Sequence, residues 1–504
     1  MIEDSKRQRR RRRLVCAALV CAVLANAGAA SLWSQTPDSS RQELQAQVDA
    51  MQGRLQAAQR QIDQDHAELM ELRRQFEALA KQSPAAAPSG AATDLEQAVA
   101  ELQERQAMQQ AEIQVHEQEK VESASKYSVK LHGMVLVNAS VNNGSSDQAF
   151  APVIAIPASA AANGSLTATG RQTLLGLAAT GPMLWGARTY ANLDMDFAGA
   201  VSSGGYASGS GSFRLRTAAM EVAWPKTSAR AGISPLILTP GYATSYFSVA
   251  EPAMSWSGSL WGWLPQLGVE RRLDVSDAQQ LTLQAALADI PDAGTDAASG
   301  AGAVSAAERS RFPGSEIRAA WQRNAPFAAT FGVGGYWSPH SYGASSSSPG
   351  GNFDAWAATA DWRVSLPAKL QFSGELYDGA ALGGLSAGAF KDKITVGGLS
   401  GAKLAALKDA GGWAQLKFKP GERWEFNFAF GQDNANSGQL RGAEMAITNP
   451  FAGLARNQTG FGNVVFRLRS NFLLSGEYRK IRSWQIAGPG DNASLLGLAA
   501  GYEF

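Results

Sequence analysis

Basic and acidic side chains recur on the polar sides of alternating segments through positions 126–504 of this 504-residue chain. Arg188, Arg214, Arg216, Arg230, Arg272 and Arg318 stand on the polar sides of alternating segments, together with Asp194 and Asp196. Lys130, Arg363, Lys369, Lys417, Arg423, Arg467, Arg469 and Arg479 extend the bases on such faces to fourteen. Glu270, Glu316, Asp361, Glu375, Glu425 and Glu477 bring the acids to eight, so a modest positive excess remains. A guanidinium fork grips both oxygens of a carboxylate or phosphate. Rings of such groups around an aqueous path favour anions, while pairing across strands cancels the effect. The expected chemistry is therefore selection by charge, with mild anion preference and a basic ladder of Arg188, Arg214, Arg216 and Arg230. Bond-making chemistry has little support. Of the four histidines, His66, His116, His132 and His340, only His132 stands at a wet strand position, and no nearby Ser/Asp arrangement would make it a base. There is no metal-ligand spacing and no phosphate-cradling glycine motif, so no catalytic residue, metal or cofactor is expected. A net charge of +1, with its one dense cation cluster at the extreme N-terminus, gives no reason to expect nucleic acid as a partner.

The elements that position these charges have a period of two from Lys126 onward. Tyr127, Val129, Leu131, Gly133, Val135 and Val137 form one face, and Ser128, Lys130, His132 and Asn138 the other, with Met134 and Leu136 as exceptions. Trp185–Phe197, Trp356–Leu366 and Trp424–Phe430 repeat the arrangement, with aromatics on the apolar side and Arg, Asp or Glu on the other. Aromatic girdles outside and a wet lumen inside produce this pattern. Short turn signals stand near Gly181, Pro225, Asp274–Gln279, Asn324, Pro367, Pro420 and Ser470, and Gly/Ser/Ala/Asn-rich stretches separate them. Seven turns make seven hairpins. With the first and last strands the expectation is about sixteen, in an all-β transmembrane, antiparallel outer-membrane β-barrel preceded by an α-helical coiled-coil segment. A phase shift near Thr217–Glu221 signals a bulge.

The third long loop, about 235–262, differs from the others. It carries Tyr242, Tyr246, Phe247, Trp256 and Trp261, with Glu251 as its one charge. Aromatic loops avoid water, so Tyr242, Tyr246, Phe247, Glu251 and Trp256 are expected to fold inward as a constriction. The C-terminal strand alternates through Leu496, Leu498, Ala500, Tyr502 and Phe504. Tyr502 and the terminal Phe504 form the expected signal for the barrel-assembly machinery.

Residues 1–30 read as a secretory signal, with Arg9–Arg13, an apolar run and small-x-small sites at 25–29. Both cysteines, Cys16 and Cys21, fall there. Residues 31–125 read as a periplasmic stalk broken at 83–93. Val48, Leu55, Ile62, Leu69 and Phe76 occupy the a positions of a heptad seam, which argues self-association. Mean hydropathy is −0.17, compatible with a barrel in which only alternate residues meet lipid.

Signal, coiled coil and barrel in this order resemble the DcaP-like trimeric porins. Arg214-Leu215-Arg216-Thr217, Trp224-Pro225-Lys226-Thr227, Ala231-Gly232 and Pro265-Gln266-Leu267-Gly268-Val269-Glu270 are similar to the strand pair, inward loop and next strand of those and of phosphate-selective porins. The chain also resembles porin-like proteins of acidobacteria. The resemblance implies a homotrimer and small, often anionic, solutes. The expected function is passive diffusion of small hydrophilic solutes through an outer-membrane porin. Its expected partners are outer-membrane lipid, further copies of itself, the assembly machinery and, through the stalk, peptidoglycan. The rival reading is a tether: a closed barrel holding a coiled coil that reaches toward the cell wall.

Overall fold

The computed structural model describes Arg74 and residues 128–504, apart from 149, 158–163, 200–210, 294–303, 345–348, 398–400 and 444–448. The expected signal, heptad seam and 83–93 break lie outside the described residues. The strands are β1 (Val129–Ser146), β2 (Ala155–Ile156), β3 (Ser165–Thr169), β4 (Leu174–Thr180), β5 (Arg188–Asp196), β6 (Arg214–Ala223), β7 (Thr227–Pro235), β8 (Trp263–Ser276), β9 (Gln279–Ala288) and β10 (Gly314–Arg323). They continue as β11 (Ala329–Tyr342), β12 (Gly351–Leu366), β13 (Leu370–Ala380), β14 (Lys393–Val396), β15 (Lys403–Ala406), β16 (Lys408–Phe418), β17 (Trp424–Ala435), β18 (Leu454–Arg467), β19 (Phe472–Gln485) and β20 (Asp491–Glu503).

Sixteen staves close into one antiparallel barrel. β3 and β4 together make the second stave: β3 pairs with Asn138–Asn142 of β1, and β4 with Val129–Met134. β5 to β13 and β16 to β20 complete the ring, and β1 pairs with β20 from Met134↔Glu503 to Gly144↔Ala493. Phe504 extends this closure by exchanging backbone hydrogen bonds with Gly133 at 2.9 and 3.0 Å. Closure leaves no unpaired sheet edge in the ring. β2 pairs with the end of β1, and β14–β15 is a separate hairpin in the loop after β13. All seven short turns join hairpins at the expected places, on one side of the barrel.

Burial assigns the two faces. Val135, Val137, Val141, Phe430 and Leu496 are exposed, and Leu498 and Phe428 reach 64% and 62%. Their neighbours Asn138, Ser140, Asp433, Glu477 and Ser483 are buried. The sheet thus turns apolar residues outward and polar ones inward, the reverse of a soluble sandwich, as lipid surroundings require. Met134 and Leu136, the exceptions to the alternation, face inward and pack with Val465, Leu473, Tyr246 and Val249. The phase shift in β6 is real and starts slightly earlier than expected. Asp194 pairs with Thr217 but Met195 pairs with Leu215, so Arg216 is the extra residue of a bulge. Before the bulge Arg214 points inward, and after it Thr217, Ala219 and Glu221 do.

Candidate functional site: the lumen and its infolded loop

Residues 236–262 connect β7 to β8 and lie against the inner wall of much of the ring. Glu316 on β10 accepts the backbone amide of Ile237 at 3.0 Å. Gln415 on β16 accepts the amide of Thr244 at 2.6 Å, and Asn138 on β1 donates to the Tyr246 carbonyl at 2.7 Å. Gln172 donates to the Phe247 carbonyl at 2.9 Å and accepts the amides of Val249 and Ala250 at 2.7 and 3.0 Å. Asn457 on β18 donates to the Trp256 carbonyl at 3.0 Å, and Ser257 shares a 2.8 Å hydroxyl contact with Thr459. Buried backbone must find partners, and here inward-facing side chains of the staves supply them. Two glycines let the loop approach the wall. A Cβ at Gly431 would stand 2.2 Å from the Ser257 carbonyl oxygen, and one at Gly497 would stand 2.7 Å from the Phe247 ring.

The five aromatic and acidic residues singled out in this loop lie at different places along its course. Tyr246 accepts from Arg467 at 2.8 Å. Phe247 is buried beside Ile481, Ala493 and Leu495. Tyr242 is half-buried with its hydroxyl shielded from solvent, which pushes the hydroxyl pKa up. Trp256 stacks on Phe390 with centroids 3.6 Å apart. Glu251 accepts from the Trp256 indole at 3.0 Å and from Ser255 at 3.3 Å, and its burial pushes its pKa up. Close to it in the first loop, Asp147 accepts the amides of Val153 and Ile154, both at 3.0 Å. Burial, reinforced by the Glu251 charge, pushes Asp147 up to about 7.

The charged candidates separate into two groups. In the first, Asp196 is fully buried and shared by two arginines: Arg214 at 2.6 and 3.0 Å, and Arg216 at 3.4 Å. Arg214 also donates to the Ala250 carbonyl of the loop, and both guanidiniums lie over Trp263. Asp194 is adjacent, held by Thr217 at 2.5 Å and His132 at 2.9 Å. The second group lines a polar cavity of about 540 Å³ under the start of the loop, with Arg230, Arg272, Arg318, Glu221 and Glu270 in its wall. Each arginine there has an acid: Arg230 with Glu221 at 2.6 Å, Arg272 with Glu270 at 3.0 Å, and Arg318 with Asp361 through two 2.8 Å bonds. Arg188 belongs to neither group. It is exposed at the short-turn end of β5, opposite Ala223.

Several residues of the lumen carried no usable sequence signal. Residues 381–390 fall in a stretch rich in Gly, Ala and Ser, composition that reads as an exposed loop. Leu382, Leu385, Ala387 and Phe390 are instead buried, and Trp256 and Trp261 donate backbone bonds to Ser386 and Leu385. Asp409 and Asp433, absent from the acids read as polar-face residues, accept the amides of Gly388 and Ala389 from this same segment. Asp292 and Asp392 come from two separate connections and His340 from β11, and their ligating atoms lie within 4.8 Å of one another. The sequence spacings between them follow no metal-ligand pattern.

No family model matches the chain, and no curated protein matches it. Solved structures do. The outer membrane channel DcaP of Acinetobacter baumannii is similar over 75% of this chain and 97% of its own, at 16% identity and a TM-score of 0.54. An anion-selective porin from Comamonas acidovorans matches 75% of this chain and 100% of its own at 13% identity and a TM-score of 0.46. Pseudomonas putida OprB covers the same share of this chain and 94% of its own at 11% identity and a TM-score of 0.45. At these identities the likeness is one of fold. The described chain is a closed sixteen-stranded antiparallel barrel of the porin type, with a long loop folded against its inner wall.

Proposed function

We propose that this protein is an outer-membrane porin through which small hydrophilic solutes diffuse passively, narrowed by the loop 236–262. The observation that carries the reading is the combination of an apolar outer wall with a polar inner wall on which that loop is seated. A barrel of this girth leaves an aqueous channel that an infolded loop can restrict.

The paired charges of the lumen reduce the basic excess and leave a local remainder. Arg214 and Arg216 share one acid, Asp196, and Lys417 and Lys419 share Glu425 at 2.9 and 3.0 Å. The Lys417–Lys419–Glu425 cluster leaves one positive charge unbalanced, while Asp194 beside Asp196 offsets the second arginine of the other, so the remainder that supports a mild anion preference is small. The site residues of the selectivity step are Arg214 and Arg216, with Arg230, Arg272 and Arg318 lining the approach. Further copies of this chain in a trimer, outer-membrane lipid, the assembly machinery acting on Tyr502 and Phe504, and the cell wall through residues 31–125 complete the proposed partners.

The test is single-channel recording in a planar bilayer, with the reversal potential taken under a potassium chloride gradient. Conductance steps in threes and a chloride-selective reversal are expected. A cation-selective reversal overturns the anion preference and leaves the porin. Repeated silence from folded, heat-modifiable protein overturns the porin itself and favours the tether.

A further inference from the structure

The outer wall changes character toward the long-loop side of β17 to β20. Outward positions on the short-turn side carry Trp424, Phe426, Phe466 and Phe472, and Phe428, Tyr478 and Leu498 follow. Above them the same outward positions carry Arg456, Lys480 and Arg482 around Trp484. The inner face of these strands is fixed by its contacts: Asn457, Thr459, Arg479 and Ser483 bond the infolded loop or one another. Arg456, Lys480 and Arg482, one residue out of phase with them, therefore lie outside.

Register gathers the cations. Arg456 is opposite Trp484, Gln458 opposite Arg482, and Gly460 opposite Lys480. Both guanidiniums stand 4.4 Å from the Trp484 ring. Their cross-strand neighbours Gln432, Asn434, Asn492 and Ser494 are neutral and polar. Among the described residues, no carboxylate occupies an outward position on β17 to β20. From Phe472 to Lys480 the strand climbs about 26 Å at ~3.3 Å per residue, or roughly 20 Å along the membrane normal at a tilt near 40°. That places the cations at the top of an apolar band about 25 Å tall, where a cation on the lipid face costs roughly 0–1 kcal/mol instead of about 2–4 at mid-membrane.

Directly below lies a second feature. Gly460, Gly462 and Gly476 leave a trough between Phe428 and Tyr478 on the outer wall, a groove of about 600 Å³. It is apolar and runs along the strands. A cationic cluster over an apolar trough matches an amphiphile with an anionic head and acyl tails.

We propose that Arg456, Lys480 and Arg482 bind a phosphate of an outer-leaflet phosphorylated glycolipid, whose acyl chain lies in the trough of Gly460, Gly462 and Gly476. The site rests on the outer-membrane reading above. Arginine forks take two phosphate oxygens and the lysine adds a point charge, as basic pockets on membrane proteins do for acidic headgroups. A second copy meeting this patch through the same face is a poorer occupant, because isologous contact would bring two like cation clusters together.

The test compares wild type with the Arg456→Gln/Lys480→Gln/Arg482→Gln variant in detergent, by native mass spectrometry against bisphosphorylated lipid A. Wild type is expected to bind at least ten-fold more tightly than the variant. Dephosphorylated lipid A should bind both equally weakly, and millimolar inorganic phosphate should leave the complex intact. Equal binding of lipid A by both proteins overturns the proposal, as does binding indifferent to the lipid's phosphates. Displacement by inorganic phosphate reduces the site to a free-anion site and also overturns it. A variant that loses its oligomeric state with lipid binding unchanged assigns the patch to a second copy. Single-channel recording of the same preparations separates this result from the porin reading: silent wild type sinks the latter, whereas conducting protein without lipid preference sinks only the former.

Discussion

Replacing Arg479 by alanine is expected to release the infolded loop. Arg479 is 1% exposed on the inner face of β19. It donates to Glu477 at 2.9 and 2.7 Å, to the Ser248 hydroxyl at 2.7 Å and to the Ser245 hydroxyl at 3.2 Å. Glu477 also accepts from Ser245 at 2.6 Å and Asn463 at 3.1 Å. With the arginine gone, a buried carboxylate lacks its counter-charge while the loop stays seated. Lifting the loop admits water to it. Breaking a buried pair by removing one partner costs about 3–5 kcal/mol, so the displaced loop should gain roughly 100- to 4,000-fold in population at ~1.4 kcal/mol per decade. The only cysteines are Cys16 and Cys21, so an Ala250→Cys thiol on a Cys16→Ala/Cys21→Ala background reports loop exposure by its maleimide labelling rate. Arg479→Ala should speed labelling and add excursions to a higher conductance level. Arg479→Ala/Glu477→Gln should recover part of both effects. Labelling and conductance identical to wild type in Arg479→Ala would refute the claim that this pair anchors the loop.

Gly431→Ala forces a Cβ to within 2.2 Å of the Ser257 carbonyl and should raise conductance, at a cost of about 1–3 kcal/mol to loop seating. Gly421→Ala, which meets open space, is the neutral control in the same recordings. Asp147 is raised by burial to about 7, so the folded first loop favours the neutral acid. Its contribution is complete below about pH 4 and fades as pH rises through about 7. The hydrogen-exchange protection factors of Val153 and Ile154, taken relative to the base-catalysed intrinsic rate, should fall over that window in wild type and stay flat in Asp147→Asn. Arg216→Glu should move the reversal potential toward cation selectivity by reversing the charge beside Asp196, and an unmoved potential counts against that cluster as the filter. Deleting Phe504 removes two backbone hydrogen bonds to Gly133 and the aromatic terminus, and should reduce the heat-modifiable folded fraction recovered from membranes.

The period of two, the seven turns and the inward set of the third loop were legible residue by residue. Backbone geometry alone sends successive side chains to opposite faces, and an aromatic loop favours burial, inward or against a neighbouring copy, over exposure to water. The sixteen staves followed from turn chemistry without knowledge of any partner strand. Other features depended on which residues meet across the closed sheet. The one-residue bulge at Arg216 brings Arg214, Arg216 and Thr217 to the same side, around Asp194 and Asp196. Counting bases and acids along faces gave an excess, but pairing decides the field: Glu221 was missing from the count and offsets Arg230. Leu382–Phe390 has a composition typical of an exposed loop, yet it is buried because the infolded loop offers it Trp256 to stack upon. Periodicity in this chain is set locally by the backbone. Burial and charge compensation are sums over distant neighbours, and only closure of the barrel decides who those neighbours are.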